Sequence, residues 1–337
     1  MIENRGALGD VHVRGLTAQL LEVDNQAEKN YVLALDSSLG VESNDMTRLF
    51  KRKSSTKARE TTTNISGFGR LTQFGDGENY PNDSRVSGYS TEWNFIQYGS
   101  RYEITRMAID DGEDYISDYK DPKRNLMVAG KYSQDVDAFG LFREAFTAQD
   151  SLSDGISFLS DGVPMCSTLH PLKGKDGVTH SNASATSIPL SDINLEIAKQ
   201  ALRRQLDDKG LPMQIGSGNN ILLVPDSLES NAVRIAQSTK RSGTANNDLN
   251  IFDGTVTVIS TKLINSQQTN GSDTAWFLID PMMADIIFFE REGLTTRHFQ
   301  DDDNDNFIWK IRARYTVGYK DWRGIWGSKG DNSAYSA

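Results

Sequence analysis

The sequence is poor in the residues that do chemistry. Its 337 residues hold one cysteine, Cys166, and four histidines. A lone cysteine excludes an internal disulfide framework and fits a reducing compartment such as a bacterial cytoplasm. No apolar run approaches the ~18 residues that span a bilayer. The opening MIENRGALGDVHVRG lacks the apolar stretch of a secretory signal. Positive charge is in deficit, with 36 Lys and Arg against 46 Asp and Glu and a formal net charge of −10. That balance argues against a protein whose main task is to grip nucleic-acid phosphates, and it favours solubility. The 28 glycines follow no repeat period, which excludes a solenoid or a collagen-like chain. Walker A, dinucleotide-binding and HExxH motifs are missing; GFG, GDG and GSG read as turns.

What is present is enough to fold. Hydrophobic residues make up 37% and aromatics 9%, which supplies real cores over a chain long enough for two or three packed units. Residues 1–47 are weakly periodic and read as a terminal arm. RLFKRKSSTKAR then gathers Arg48, Lys51, Arg52, Lys53, Lys57 and Arg59. It is either a solvated charged face or, in a net-negative chain, a contact for an acidic patch on a neighbouring copy. Residues 58–106 read as a long β-hairpin. Thr-rich text leads to turn-forming GDGENYPNDSRVSG, and in the return arm Trp93, Phe95 and Gln97 share one face with Asn94, Ile96 and Tyr98 on the other. Neither arm is strongly apolar, so the hairpin needs support from outside itself, such as another subunit. Phe74 and Tyr80 near its tip are candidates for that contact.

The pattern then changes. Asp121 and Pro122 form a helix-start signature, and Tyr132, Val136, Phe139 and Phe146 recur at helical spacing. The expectation is a helix over 122–149, ~40 Å long, with Gly130 and Gly140 as weak points. From Ser151 the text alternates helix and strand. SDINLEIAKQALRRQLDDKG has Ser191 at its start and Gly210 past its end, NNILLVP is a buried strand, and Asp226 and Glu229 stand at capping-box spacing. GTVTVISTKLI and TAWFLIDP follow as strands. Two long strands then flank QDDDNDN, and the text after Trp326 reads as loose.

Two segments carry candidate chemistry. Cys166, His170, Asp176 and His180 lie close in CSTLHPLKGKDGVTHSN. Cys166 and His170 at i, i+4 suit a helix face, but Pro171 and the surrounding Ser, Thr and Gly argue for a loop. No second cluster completes a metal's ligand set. A metal- or thiol-dependent enzyme using Cys166 and His170 stays as the alternative from a different class. Asp301, Asp303 and Asp305 alternate as in a calcium loop, yet position six is Asn306 and position twelve is Arg312, which argues against that site. With Asp302 they read as a solvated acidic turn, or as a partner for the 48–59 stretch of another subunit. No metal or cofactor is expected.

The order of arm, basic stretch, hairpin, long helix, α/β unit and long strand pair resembles the major capsid protein of tailed bacteriophages, the Hong Kong 97-type fold. YEITRMAIDDGEDYISDY, with Asp110 and Asp111, is similar to that family's hairpin-to-helix junction. LHPLKG, SNAS and LSDINLEIAKQALRRQLDDKGLPMQIGSGNNILLVPDSLESNAVRIAQST resemble the Mu-type major head subunit in particular, as do AWFLID and VGYKDWRGIWG. The resemblance covers about residues 48–327, and its weight lies in order and spacing.

It implies an α+β subunit with an N-terminal arm (1–54), an extended hairpin loop (55–103) and a peripheral domain (104–150 and 284–318, with the spine helix at 122–149). An axial domain (151–283 and 319–330) and a loose tail (331–337) complete it. It implies a non-enzymatic protein of the virion. Hexamers and pentamers would close around double-stranded DNA without sequence-specific binding, with scaffold, portal and decoration proteins as partners, no membrane, and assembly in the host cytoplasm. The sequence departs from some relatives in showing no long N-terminal helical segment of the built-in scaffold kind, which leaves open a separate scaffold protein or a segment removed by a protease. Some relatives cross-link a hairpin lysine to a neighbour's asparagine; no lysine lies between Ala58 and Gly112, so that chemistry is not expected. An encapsulin shell is the same-fold alternative.

Overall fold

The computed structural model describes residues 43–111, 122–175, 177–240 and 249–335. Most of the expected arm, the Asp121 cap and Asp176 lie outside the described residues. In chain order the elements are α1 (Ser43–Leu49), β1 (Lys51–Ser54), β2 (Arg59–Ile65), β3 (Ser87–Asn94), β4 (Ile96–Ile104), α2 (Arg106–Asp111) and α3 (Pro122–Arg143). After these come β5 (Ile156–Ser157), β6 (His170–Pro171), β7 (Thr179–His180), α4 (Asp192–Arg203), β8 (Asn220–Pro225), α5 (Glu229–Gln237), β9 (Val256–Thr261) and β10 (Trp276–Ile279). The chain closes with β11 (Ile286–Gln300), β12 (Phe307–Tyr319) and β13 (Ile325–Ser328). Among the described residues no helix is long and apolar enough to cross a membrane.

The chain divides into two compact units. The first includes Ile96–Asp135 and Glu290–Tyr315; the second comprises Asn44–Phe95, Val136–Phe289 and Thr316–Ala337. In the first, β12 runs antiparallel to β4 from Phe307↔Ile104 to Tyr315↔Ile96. Period-2 alternation sorts the strand: Phe307, Trp309, Ile311 and Ala313 are buried, while Lys310 and Arg312 are exposed. Phe307, Trp309 and Ile311 pack with Ile104, Leu126, Met127 and Leu294. Gly130 is no weak point here. A Cβ on it would lie 2.7 Å from a Leu294 methyl and 2.8 Å from one of Ile311, so its bare backbone permits the close helix–sheet approach.

In the second unit a four-stranded sheet has the order β13-β10-β8-β9. β8 and β9 are parallel, as the intervening α5 crossover requires, and β10 is antiparallel to β8 and to β13. Every residue of β8 is buried, as its unbroken apolar run predicts. Leu195, Ala198 and Leu202 of α4 and Ala232, Ile235 and Ala236 of α5 cover the sheet, with Trp276 and Trp326 in the same core. Ser191 caps α4, its hydroxyl accepting from the Asn194 amide at 3.2 Å.

Four local expectations change. The hairpin is only β2 with β3, from Arg59↔Asn94 to Ile65↔Ser87. The return arm breaks at Phe95, which turns inward against Phe289 at 5.8 Å, and β4 joins β12 instead. α3 stops at Arg143 rather than 149: the Ala145 carbonyl accepts from Cys166 N–H at 2.8 Å, and Phe146 turns to stack on Phe277. The 226–229 capping box does not form. Asp226 faces the Asn265 amide, Glu229 faces Ser260, and a 3-10 turn precedes α5. The tail is not loose through 335: Ala334 bridges Thr186 and the Tyr335 hydroxyl donates to the Cys166 carbonyl.

Candidate subunit-contact site

The root of the hairpin is fixed by buried and part-buried polar bonds. Trp93 Nε1 donates to Thr62 Oγ1 at 2.8 Å, and its ring packs 5.3 Å from Phe289. Thr91 Oγ1 donates to the Tyr319 carbonyl at 3.1 Å. Asn64 Nδ2 donates to Asp321 Oδ2 at 2.5 Å, and Asp321 is held by Arg323. The Arg323 guanidinium also binds Asp208 at 2.8 Å and the Leu206 carbonyl at 2.8 Å, so a buried cation meets two carboxylates and each of its three nitrogens has an acceptor. None of Asn64, Asp208, Asp321 and Arg323 stood out in the sequence, because only folding brings them together.

Beyond that root, residues 67–85 leave the ladder and lie open. Leu71 is 95% exposed, Tyr80 84% and Phe68 59%. Phe74 and Tyr80, both expected at the tip, meet there with ring centroids 4.7 Å apart. Isolated exposed apolar residues are ordinary; here Phe68, Leu71, Phe74 and Tyr80 are exposed together on one segment.

The basic stretch divides. Lys51 pairs with Asp285 at 2.6 Å, Lys57 with Glu60 at 3.1 Å and Arg59 with Glu92 at 3.5 Å. Arg52 lies 5.4 Å over the Phe288 ring and reaches Met46 Sδ. Arg48 and Lys53 are exposed and have no partner among the described residues. The acidic residues form the β11–β12 turn, with Asp305 in the left-handed region at φ 56°. Asp302, Asp303 and Asp305 are exposed and Asp301 is half-buried; among the described residues none has a cationic partner.

The Cys166 loop folds as a structural knot. His170 is wholly buried, with Nδ1 2.8 Å from Asp161 Oδ2 and Nε2 3.1 Å from Asn182 Oδ1. Asn182 also accepts from Ser167 N–H at 2.7 Å and donates to the Met165 carbonyl. Gln149 Nε2 donates to Asp161 Oδ1 at 2.9 Å. His180 faces His170 across the β6–β7 ladder, and burial, then Arg323 and Lys175, lower its pKa. Cys166 is buried against Gly327, where a Cβ would lie 2.6 Å from its sulfur. Burial pushes the thiol pKa far up, so the nucleophilic thiolate is suppressed and closed to solvent. Among the described residues no His, Cys, Asp and Glu group has a metal-binding arrangement. His170 is therefore a core residue rather than the ordinary loop residue its surroundings in sequence suggest.

No curated protein sequence matches this chain. Among solved structures it is similar to the capsid of bacteriophage JBD30, with a TM-score of 0.50 and 16% identity over 65% of this chain and 90% of that one. The mature capsid subunit of bacteriophage PhiM1 gives a TM-score of 0.52 with 12% identity over 83% and 84%. The capsid of cyanophage P-SCSP1u gives 0.51 with 11% identity over 83% and 85%. At such identities the likeness shows the fold, the Hong Kong 97-type subunit fold, and it does not single out the Mu-type head. The profile of the family described as phage capsid protein matches residues 88–328. This favours a phage head over an encapsulin shell. The chain belongs to the phage capsid protein family.

Proposed function

We propose that copies of this capsid protein close as hexamers and pentamers into an icosahedral head around double-stranded DNA, held without sequence-specific contacts. The observation that carries the reading is the hairpin tip. Leu71 and Tyr80 stand almost fully exposed on a segment whose root is bound by a buried hydrogen bond of Thr91 and part-buried ones of Trp93 and Asn64. Apolar side chains presented on a fixed arm call for a second surface, and in a homo-oligomer that surface belongs to a neighbouring copy. In family terms, 55–103 is the extended loop, 104–150 with 284–318 the peripheral domain, and 151–283 with 319–330 the axial domain.

A net charge of −10 suits a lining that confines DNA without adhering to it. Arg48 and Lys53 on one copy and the 301–305 carboxylates on another are the complementary charges between subunits. Portal, scaffold and decoration proteins complete the partners, and assembly takes place in the host bacterial cytoplasm. No catalytic step is assigned: the reactive pair the sequence offered, Cys166 and His170, is buried in packing and hydrogen bonds.

Substituting Leu71→Asp with Tyr80→Ala tests the reading. The expected outcome is a subunit with an unchanged unfolding midpoint that sediments as small species. Shells at the normal yield would remove the hairpin tip from the account.

A further inference from the structure

The tip from Gly67 to Arg85 has no ladder to hold its shape, yet one side chain ties it together. Asp83 Oδ2 accepts the Gly69 N–H at 2.6 Å, which joins the outgoing and returning limbs. Asp83 Oδ1 accepts the Ser84 N–H at 2.8 Å and the Lys209 ammonium at 2.6 Å. A Cβ on Gly69 would lie 3.3 Å from that carboxylate, so the limb approaches closely. Arg85 adds a second tie, 5.0 Å over the Phe68 ring.

Lys209 stands on a firm base. It follows α4 in a loop closed by the Leu206–Pro212 bridge, and its own N–H donates to Asp207 Oδ1 at 2.9 Å. Arg323 holds Leu206 and Asp208 from beneath. The same Arg323 binds Asp321, which holds the hairpin root through Asn64. One loop thus serves both anchor points of the arm.

We propose that Asp83 and Lys209 form a clasp that sets the pose of the hairpin tip on its own subunit and so pre-orients it for a second copy of this chain. The inference rests on the hairpin being a subunit contact. Charge-assisted hydrogen bonds are short and directional. A segment already held in its docked pose surrenders less conformational freedom on binding. Both residues are positioning groups: they act through Leu71, Phe74 and Tyr80, which make the contact.

The test uses the full chain with Lys209→Ala, Asp83→Asn, their combination, Lys209→Arg, and deletion of residues 72–79. Light scattering gives the subunit concentration at half-assembly, and denaturant unfolding is followed in parallel. Lys209→Ala and Asp83→Asn are expected to raise that concentration about three- to tenfold, with unfolding midpoints unchanged. The double variant is expected to be no worse than the weaker single, and Lys209→Arg to assemble near normally. If the deletion abolishes assembly while Lys209→Ala and Asp83→Asn leave it unchanged, the clasp is overturned and the hairpin contact stands. If the variants lose stability in step with assembly, the residues merely support folding and the clasp is again overturned. Normal assembly after the deletion would overturn the hairpin contact itself, and the clasp with it.

Discussion

Trp322 lies flat against His170, with ring centroids 4.1 Å apart and planes 8° from parallel. The contact joins the loop that carries the only cysteine to the segment leading into β13, and it packs a reactive-looking stretch into the core. The imidazole is enclosed by an aromatic face, a carboxylate and an amide, so its polar atoms are used in packing.

Replacing His170 by Ala leaves the buried Asp161 carboxylate short of a partner and strips the Trp322 face. Leaving a buried acceptor short of one partner costs about 1–3 kcal/mol, and losing the stacked ring contact about 0.5–1.5 kcal/mol more. Urea unfolding is expected to show a lower midpoint by that amount, and a loss below ~1 kcal/mol, the scale of an ordinary surface contact, would contradict the knot.

The Cys166 environment predicts a double-mutant relationship with Gly327. Gly327→Ala drives a methyl toward the Cys166 sulfur and into the Phe277 ring, with approaches of 2.6 and 2.9 Å. Overpacking of that kind costs about 1–3 kcal/mol. Adding Cys166→Ala opens space and is expected to recover part of the loss, whereas strict additivity in the cycle would contradict the contact.

Alkaline pH supplies a further test. Burial raises the Cys166 thiol, and burial with the nearby Cys166 raises Tyr335 to about 12. The unfolded chain ionises these groups first, from about 9.0 and 10.0, so it binds fewer protons there and stability falls as pH rises. Their stabilisation is complete below pH ~9 and is lost as pH climbs through the folded values. Cys166→Ala is expected to flatten the fall that begins near pH 9, and an unchanged slope would contradict a buried thiol. In native protein Cys166 is expected to resist a thiol reagent that labels it fully in denaturant.

Charge reversal separates assembly from folding at the basic stretch. Arg48→Glu with Lys53→Glu changes two exposed cations without a partner among the described residues, so the unfolding free energy is expected to move by no more than ~0.5 kcal/mol. Shell yield, measured by sedimentation, is expected to fall, and yield unchanged at low salt would remove these residues from the contact. Arg52, with its stem of contacts on Phe288 and Met46, is expected to perturb folding more than Lys53 does.

Much of the architecture was legible because it rests on local signals. The β8 run NILLVP, the Ser191 cap and the alternation of β12 each carry their structure in adjacent residues. What escaped depends on long-range partners. The hairpin's return arm reads as one strand through Phe95, and only Phe289 and the edge of β12 decide where it breaks. Glycine at 130 resembles a flaw until Leu294 and Ile311 lie against it. The Asp83–Lys209 clasp joins residues 126 apart with no motif to announce it, and the Asp226–Glu229 spacing fits a cap that tertiary partners take away. At the candidate contact site, the sequence singled out Phe74, Tyr80 and the charged segments, whereas Leu71 and the buried Arg323 network carry no signal in it.

The central claim is that this chain builds a closed shell by itself or with assembly partners from the same virion. Electron microscopy of the purified full-length chain under assembly conditions tests it most directly. The account predicts uniform icosahedral particles with hexameric and pentameric clusters, the 67–85 tip lying across a neighbouring subunit. Monodisperse small oligomers at every concentration and salt tried, or shells in which that tip touches only its own chain, would contradict it.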